Sequence, residues 1–458
     1  MDDNRPGSGR LRGAKEIRDC LGVLADLACG FLESGQPGWR VGETLTACAD
    51  ARGLTGFGFT TVGRLVIVEA SLPDGGTVTV TTSAKALDLI DCTRSWRLHR
   101  LAEEIASPTG HGAGHGAVPG DIGALRTEVA RLRSISTPWW AVAGGTTMLA
   151  FVISMQLGVG WQSWVAAAVV QMLTAFCGQA LTVLKLPELF AAVVKSAVAG
   201  TLATVLVLVD VLDPVAAAAA IAVNWLLLVP LPQIIGAMSD VIDGDYLSAV
   251  TRAGSVVVTA FGITISGIYV FALGEVLDMD HPLIGEVPGL PWYLALVFSA
   301  LGALANAFAN GGWLRLAFPA MTVGVVTGVV NQFLLVVVGA SAVWAAAGAS
   351  TVLGAVAVLM AVRTGYPDQV FTLMGVTGAL LPGIAVVTGI LQVKGGESGA
   401  EHFPAAVTTC VRIGTGVAVG ADLTTRWRAL WSTGATGSTG STRSPGRWGA
   451  GREGPVSG

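Results

Sequence analysis

Two prolines and a knot of acids mark where this chain could do chemistry. Pro230 lies late in one apolar stretch, and Pro382, followed by Gly383, lies late in another. A proline inside a helix removes one backbone hydrogen bond and leaves a carbonyl free. In a membrane such broken backbone is tolerated where it lines a cavity, and the freed helix ends can hold a carboxylate or a cation. A plain kink is the alternative. Just after the first break come Asp240, Asp243 and Asp245, with Arg252 following. Acids this close to an apolar span are costly unless they face water or have a task. They could relay a proton or pair with a substrate ammonium, and Asp240 is the first choice because it lies nearest the span. A solvated loop is the alternative.

Polar residues inside apolar stretches form a third set: Lys195, Asn224, Asn306, Asn310, Asn331, Gln332 and Arg412. Lys195 and Arg412 have little acidic company in their own segments, so both are expected to face a polar interior, where they could meet a substrate carboxylate. Asn224 is placed with them as a substrate contact. The amides could equally bridge helices, at about 0.6 kcal/mol each. Nearer the N-terminus, Gly35–Thr44 is the densest polar-aromatic word, and its Arg40 and Glu43 are spaced to pair on one helix face. His99 has no evident nucleophile partner, and there is no phosphate-binding loop. The chain is therefore not expected to be an enzyme, and no cofactor or metal is expected. The six cysteines form no Cys-x-x-Cys pair and are expected to be reduced thiols.

These residues must be positioned by elements of two kinds. Of residues 1–137, 31 are charged, against 21 in residues 138–425. The first share, about 23%, suits a soluble domain; the second, about 7%, cannot cover a water-facing surface. The chain thus reads as a soluble head on a membrane body, and nothing in it is basic enough for nucleic acid. Residues 1–13 are expected to be disordered and carry no apolar leader, which keeps the head in the cytoplasm. Residues 14–106 read as a small α+β domain. Helical spacing over Lys15–Ser34, Trp39–Arg52 and Ser95–Ala106 flanks three short strands, Gly56–Thr61, Arg64–Ser71 and Thr77–Thr82, with a turn at Pro73–Gly76. Residues 107–137 read as a linker and an amphipathic helix. Residues 426–458 are expected to be a disordered tail.

The body accommodates ten spans of about 20 apolar residues: 138–158, 161–183, 188–209, 214–237, 248–274, 289–309, 314–337, 341–362, 368–391 and 404–424. The boundary within Asn331–Ala347 is the weakest, and nine spans is the fallback. With the head inside, the inner loops carry Lys185, Arg252, Arg315 and Arg363, and the outer loops are acidic, so the N- and C-termini are both cytoplasmic. A repeat links spans four and five to spans nine and ten: a late proline, a glycine-bearing loop, then Arg252 or Arg412 early in the next span. Five spans per half, 138–274 and 275–425, is an odd number. The halves would then be inverted, as in many secondary transporters.

Four words carry a resemblance. They are "ESGQPGWRVGETL" (Glu33–Leu45), "SAKALDL" (Ser83–Leu89), "LVPLPQIIGAMSDVIDGDYLSAVTR" (Leu228–Arg252) and "YPDQVFTLMGVTGALLPG" (Tyr366–Gly383). In order and spacing the chain resembles the threonine/serine exporter family over roughly residues 15–425. The resemblance implies ten spans in the cell membrane, a cytoplasmic N-terminal domain, and export of small amino acids driven by the proton-motive force. The partners would be a small-molecule substrate such as threonine or serine, protons and the lipid bilayer, with a homo-oligomer left open. One position departs from the family pattern: Leu231 follows Pro230 where the family has glycine. Related two-component members export dicarboxylates, so such a substrate is an alternative. A hydrolase-like or ligand-sensing head anchored by the body is another.

Overall fold

The computed structural model describes residues 13–85, 90–107, 121–277, 291–380 and 402–435, apart from the side chains of residues 402–407 and 432–435. The head opens with α1 (Ala14–Leu32) and α2 (Gly38–Ala51). Three antiparallel strands follow in the order β1 (Thr55–Val62), β2 (Leu65–Ser71), β3 (Thr77–Ser83). Val68 pairs with Phe59 on one side and Val80 on the other. Alternation on β2 turns Val66, Val68 and Ala70 into the core, where they meet the apolar stripe of α1, including Leu24, Leu27 and Phe31. Gly75, at a φ of +89°, makes the turn between β2 and β3 that the Pro-Asp-Gly-Gly word predicts.

Helix α3 (Cys92–Ala106) packs behind α2, and Asp91 caps it by accepting a hydrogen bond from the Arg94 amide at 2.9 Å. Helix α4 (Ile122–Arg133) buries Leu125, Val129 and Leu132 in the same core, so the amphipathic helix of residues 107–137 is a wall of the head. Arg133 at its end pairs with Glu33 at 2.8 Å and Asp26 at 3.0 Å, tying α4 to α1.

The body comprises α5 (Trp139–Gln156), α6 (Trp161–Val183), α7 (Glu188–Leu208), α8 (Pro214–Leu228), α9 (Leu231–Ile242), α10 (Tyr246–Val276), α11 (Trp292–Ala309), α12 (Trp313–Gln332), α13 (Ala342–Thr364), α14 (Asp368–Ala379) and α15 (His402–Ala435). Six helices, α6, α7, α10, α11, α12 with its following turn, and α13, are each long and apolar enough to cross a membrane. Counting each of the bent pairs α8–α9 and α4–α5 as one span would give up to eight among the described residues, but α4 itself packs in the head core. This is a polytopic helical membrane protein. The doubtful Asn331–Ala347 stretch resolves into a π-helical turn, Phe333–Val337, and a break before α13.

Each half of the body is packed around one enclosed helix. Every residue from Ala216 to Leu226 of α8 is buried, within a core shared with α5, α6, α7 and α10. Every residue from Val370 to Gly378 of α14 is buried, against α11, α12, α13 and α15. A helix apolar on all sides belongs in such a place. Lipid chains leave no hydrophobic drive between helices, so close van der Waals contact must hold them, and small residues permit it. On α15, Gly416 and Gly420 lie directly against the Ala347 and Thr351 carbonyls of α13, and Gly354 of α13 lies against the Val417 carbonyl.

Gly420→Ala is therefore expected to lower the thermal unfolding midpoint of the full chain in detergent, at a cost of about 1–3 kcal/mol. Gly144→Ala, in open space on α5, is expected to leave it unchanged or raise it, since Ala favours a helix by about 1 kcal/mol. Equal midpoints would contradict the close crossing.

Candidate functional site

The first break is where the sequence places it. Helix α8 ends at Leu228, Pro230 precedes α9, and the two helices meet at 47°. Pro230 donates nothing, and Pro232 starts α9 where an amide hydrogen would have no helical partner. The Leu231 side chain does not crowd the break, because it packs against the core of the second half. Asn224 lies on α8 before the break, 1% exposed. Its amide nitrogen donates to the Ala220 carbonyl at 2.8 Å and the Ala167 carbonyl at 3.3 Å, and its Oδ1 has no partner among the described residues.

The three acids beyond the break have three different environments. Asp240 is fully buried on α9 and accepts from Arg252 Nε of α10 at 2.9 Å. Arg252 Nη2 donates to the Gln36 carbonyl of the head, also at 2.9 Å. Gly236 makes room for this guanidinium, since a Cβ there would lie 2.9 Å from Nη1. Asp245 caps α10 by accepting from the Ser248 amide at 3.2 Å. Asp243 follows α9 and faces a small cavity, lined also by Trp39 and Arg40 of the head, Ser239 of α9, Asp368 of α14 and Asp422 of α15. Its carboxyl is pushed up to about 6 by the scarcity of water around it and by the Asp422 carboxylate opposite, against the pull of Arg40 and Arg426. The residue as a whole is exposed, so the crowding is confined to its carboxyl side. The cavity volume is about 30 Å³, room for about one water.

The head word Gly35–Thr44 supplies one side of this site. Gly35, at a φ of +80°, turns the chain so that the Gln36 carbonyl meets Arg252. Trp39 Nε1 donates to Ser239 Oγ at 3.4 Å. Arg40 makes the expected contact with Glu43, at 3.5 Å, and a shorter one with Asp368, at 2.8 Å. Sequence reasoning missed Asp368, Asp422, Trp39 and Ser239. The one signal for Asp368 is its position directly after Pro367, opening an apolar run. It also missed Gln156, whose amide nitrogen donates to the Gly378 carbonyl at 2.7 Å and the Phe298 carbonyl at 3.0 Å, joining α5 to α11 and α14.

Other expected site residues lie elsewhere. Lys195 is half-buried on α7 with its stem against Gly178 of α6, away from the acids. Arg412 corrects an expectation: it is exposed on α15 and does not face a polar interior. The stem of an arginine is apolar and can lie along an apolar surface, so burial of the residue is not forced. Pro382 and Gly383 lie outside the described residues.

The family model for threonine/serine exporters matches residues 23–274, the head and the first half of the body. A probable threonine/serine exporter of Mycobacterium tuberculosis is 26% identical, over 96% of this chain and 79% of that protein. No solved structure matches the chain.

Arg252→Ala leaves Asp240 buried and unpaired, and is expected to cost about 3–5 kcal/mol of stability. Arg252→Ala with Asp240→Asn should recover a large part of that loss. Thermal unfolding of the full-length variants in detergent reads both. A double variant no more stable than the single would show that the pair is not the source of the loss.

Proposed function

The chain belongs to the threonine/serine exporter family, and from that premise we propose that it exports threonine, serine or a similar small amino acid across the cell membrane, driven by the proton-motive force. It is a membrane transporter and not an enzyme. The observation that carries the proposal is the broken α8–α9 span, which leads to a small cavity walled by acids from both halves of the body.

The proposed architecture has ten spans in two inverted halves. It is supported by the parallel places of α8 and α14, each enclosed by its own half and each followed in sequence by a late proline, Pro230 or Pro382. The head touches the body at Ser239 and Ser248, at Asn310 and Gly311, and at Tyr366 and Asp368. These places adjoin Arg252, Arg315 and Arg363, so the head shares the basic side, which supports a cytoplasmic head by the positive-inside rule.

Of the three acids, Asp243 suits the proton best. Asp240 is held by Arg252 and Asp245 is a cap, whereas Asp243 has neither tie and faces the cavity. Asn224, with a free Oδ1 on α8, and the backbone around Pro230 and its counterpart Pro382-Gly383 are proposed to meet the substrate. Lys195 would be a secondary polar group of the first half.

Cells preloaded with a threonine-containing dipeptide are expected to release threonine faster with the gene than without it, and an uncoupler should abolish the difference. Equal release would remove this substrate, and release untouched by the uncoupler would remove proton coupling. With a carboxyl near 6, Asp243 gives up its proton above that value and holds it below. Efflux should therefore fall as internal pH drops through about 6, and Asp243→Asn should be slow and lose that fall. An unchanged pH profile would take the proton away from Asp243.

A further inference from the structure

A second, larger cavity, partly open to solvent, lies between head and body, bordered by α2 and α3 on one side and by α13, α14 and α15 on the other. Its volume is about 410 Å³, within the range of roughly 300–1,000 Å³ typical of small-molecule sites. Arg40, Glu43, His99, Asp368, Gln369 and Arg428 are among its lining residues, so it presents both signs of charge. Three polar atoms of this lining are buried with no partner among the described residues: Arg40 Nε, His99 Nδ1 and Gln369 Oε1. Buried polar groups are nearly always paired. Three exceptions around one cavity of this size describe a place for a polar ligand.

The chemistry of those atoms narrows the ligand. Arg40 Nε can only donate, and the Gln369 oxygen can only accept. Burial pushes the His99 imidazole below its ordinary value, so it is neutral, and its Nε2 faces Glu103 at 3.9 Å. A carboxylate needs the donors and an ammonium needs the acceptors. Arg40 and Asp368, paired at 2.8 Å, also line the small cavity beside Asp243. The pair is the wall between the two spaces.

We propose that the larger cavity is a head-side binding site for a small α-amino acid in its zwitterionic form, and that the Arg40–Asp368 pair is a door which that ligand opens by exchanging partners. The ligand carboxylate takes the place of Asp368 on Arg40, and its ammonium takes the place of Arg40 on Asp368. No charge is left bare while the wall parts. A ligand with one charge replaces only one side of this short pair, whose side chains are 21% and 16% exposed, and leaves the other partner with less than it had. The door thus selects zwitterions before the broken span is reached. The identification of the ligand with the cargo rests on the export reading above.

The test uses the full chain in lipid nanodiscs with Thr44→Cys in the cavity lining, labelled by a charged maleimide, with the parent chain and its native cysteines as background. L-Threonine and L-serine are expected to slow labelling about ten-fold at about ten times their dissociation constant. Threonine amide, N-acetylthreonine and succinate should slow it less than about two-fold at the same concentration. Asp368→Asn leaves Arg40 only its longer contact with the exposed Glu43 at 3.5 Å, so N-acetylthreonine should now protect nearly as well as threonine does. Equal protection by all probes, protection by none, or an unchanged order of probes in Asp368→Asn would overturn the proposal. Threonine efflux without protection sinks this site and leaves the export reading. Protection by zwitterions without efflux of either amino acid does the reverse.

Discussion

The fold depends on one buried guanidinium. Arg252 is 5% exposed and its partner Asp240 is fully buried. Charges so placed are stable only when their hydrogen bonds are met in good geometry. The partners of Arg252 come from two other places, Asp240 on α9 and the Gln36 carbonyl in the turn between α1 and α2. Burying the charge therefore requires α9 to fold back beside α10 and the head to be seated. Neither could be removed without stranding it. Gly236 is part of the same requirement, since a side chain there would occupy the place of the guanidinium.

Once that turn is fixed, the rest of α2 falls into register along the body. Trp39 reaches Ser239 and Arg40 reaches Asp368, on opposite halves. A second line of contacts runs along α3. Asp91 accepts from both the amide and the hydroxyl of Thr137 at 2.7 Å, the Cys92 amide donates to Asn310, and Trp96 stacks on Tyr366. The head is thus fastened to both halves by directional bonds, whereas the membrane helices are held to each other mostly by close packing over glycines.

Much of this was legible in the sequence, for identifiable reasons. The three strands announce themselves by alternation and by a Pro-Asp-Gly-Gly turn. The break at Pro230 follows from proline chemistry, and the composition step near residue 137 separates head from body. What was not legible is pairing at a distance. Arg40 has a visible neighbour in Glu43 but takes Asp368, 328 residues away, as its closer partner. The apolar stripe of α4 is equally suited to a membrane surface or to the head core, and only the docking of Leu125, Val129 and Leu132 decides it. Arg412 was assigned to an interior because a lone charge in an apolar helix is costly, but that reasoning ignores how much of an arginine side chain is apolar.

The acids after the break show most clearly where sequence stops and structure begins. Asp240, Asp243 and Asp245 lie within six residues and are chemically identical. Proximity to the span favoured Asp240, yet it is fully buried and held by Arg252, so taking up a proton there would weaken the ion pair that also seats the head. Asp245 spends its carboxylate on the start of α10. Asp243 has neither obligation, and the groups facing it, Asp422 on α15 and Arg40 in the head, come from distant parts of the chain. Its carboxyl therefore answers to charges from three separate elements, which is the ground for proposing it as the proton carrier. A carboxyl whose neighbours come from separate parts of a chain is better placed to couple a proton to a conformational change than one fixed among residues that move together.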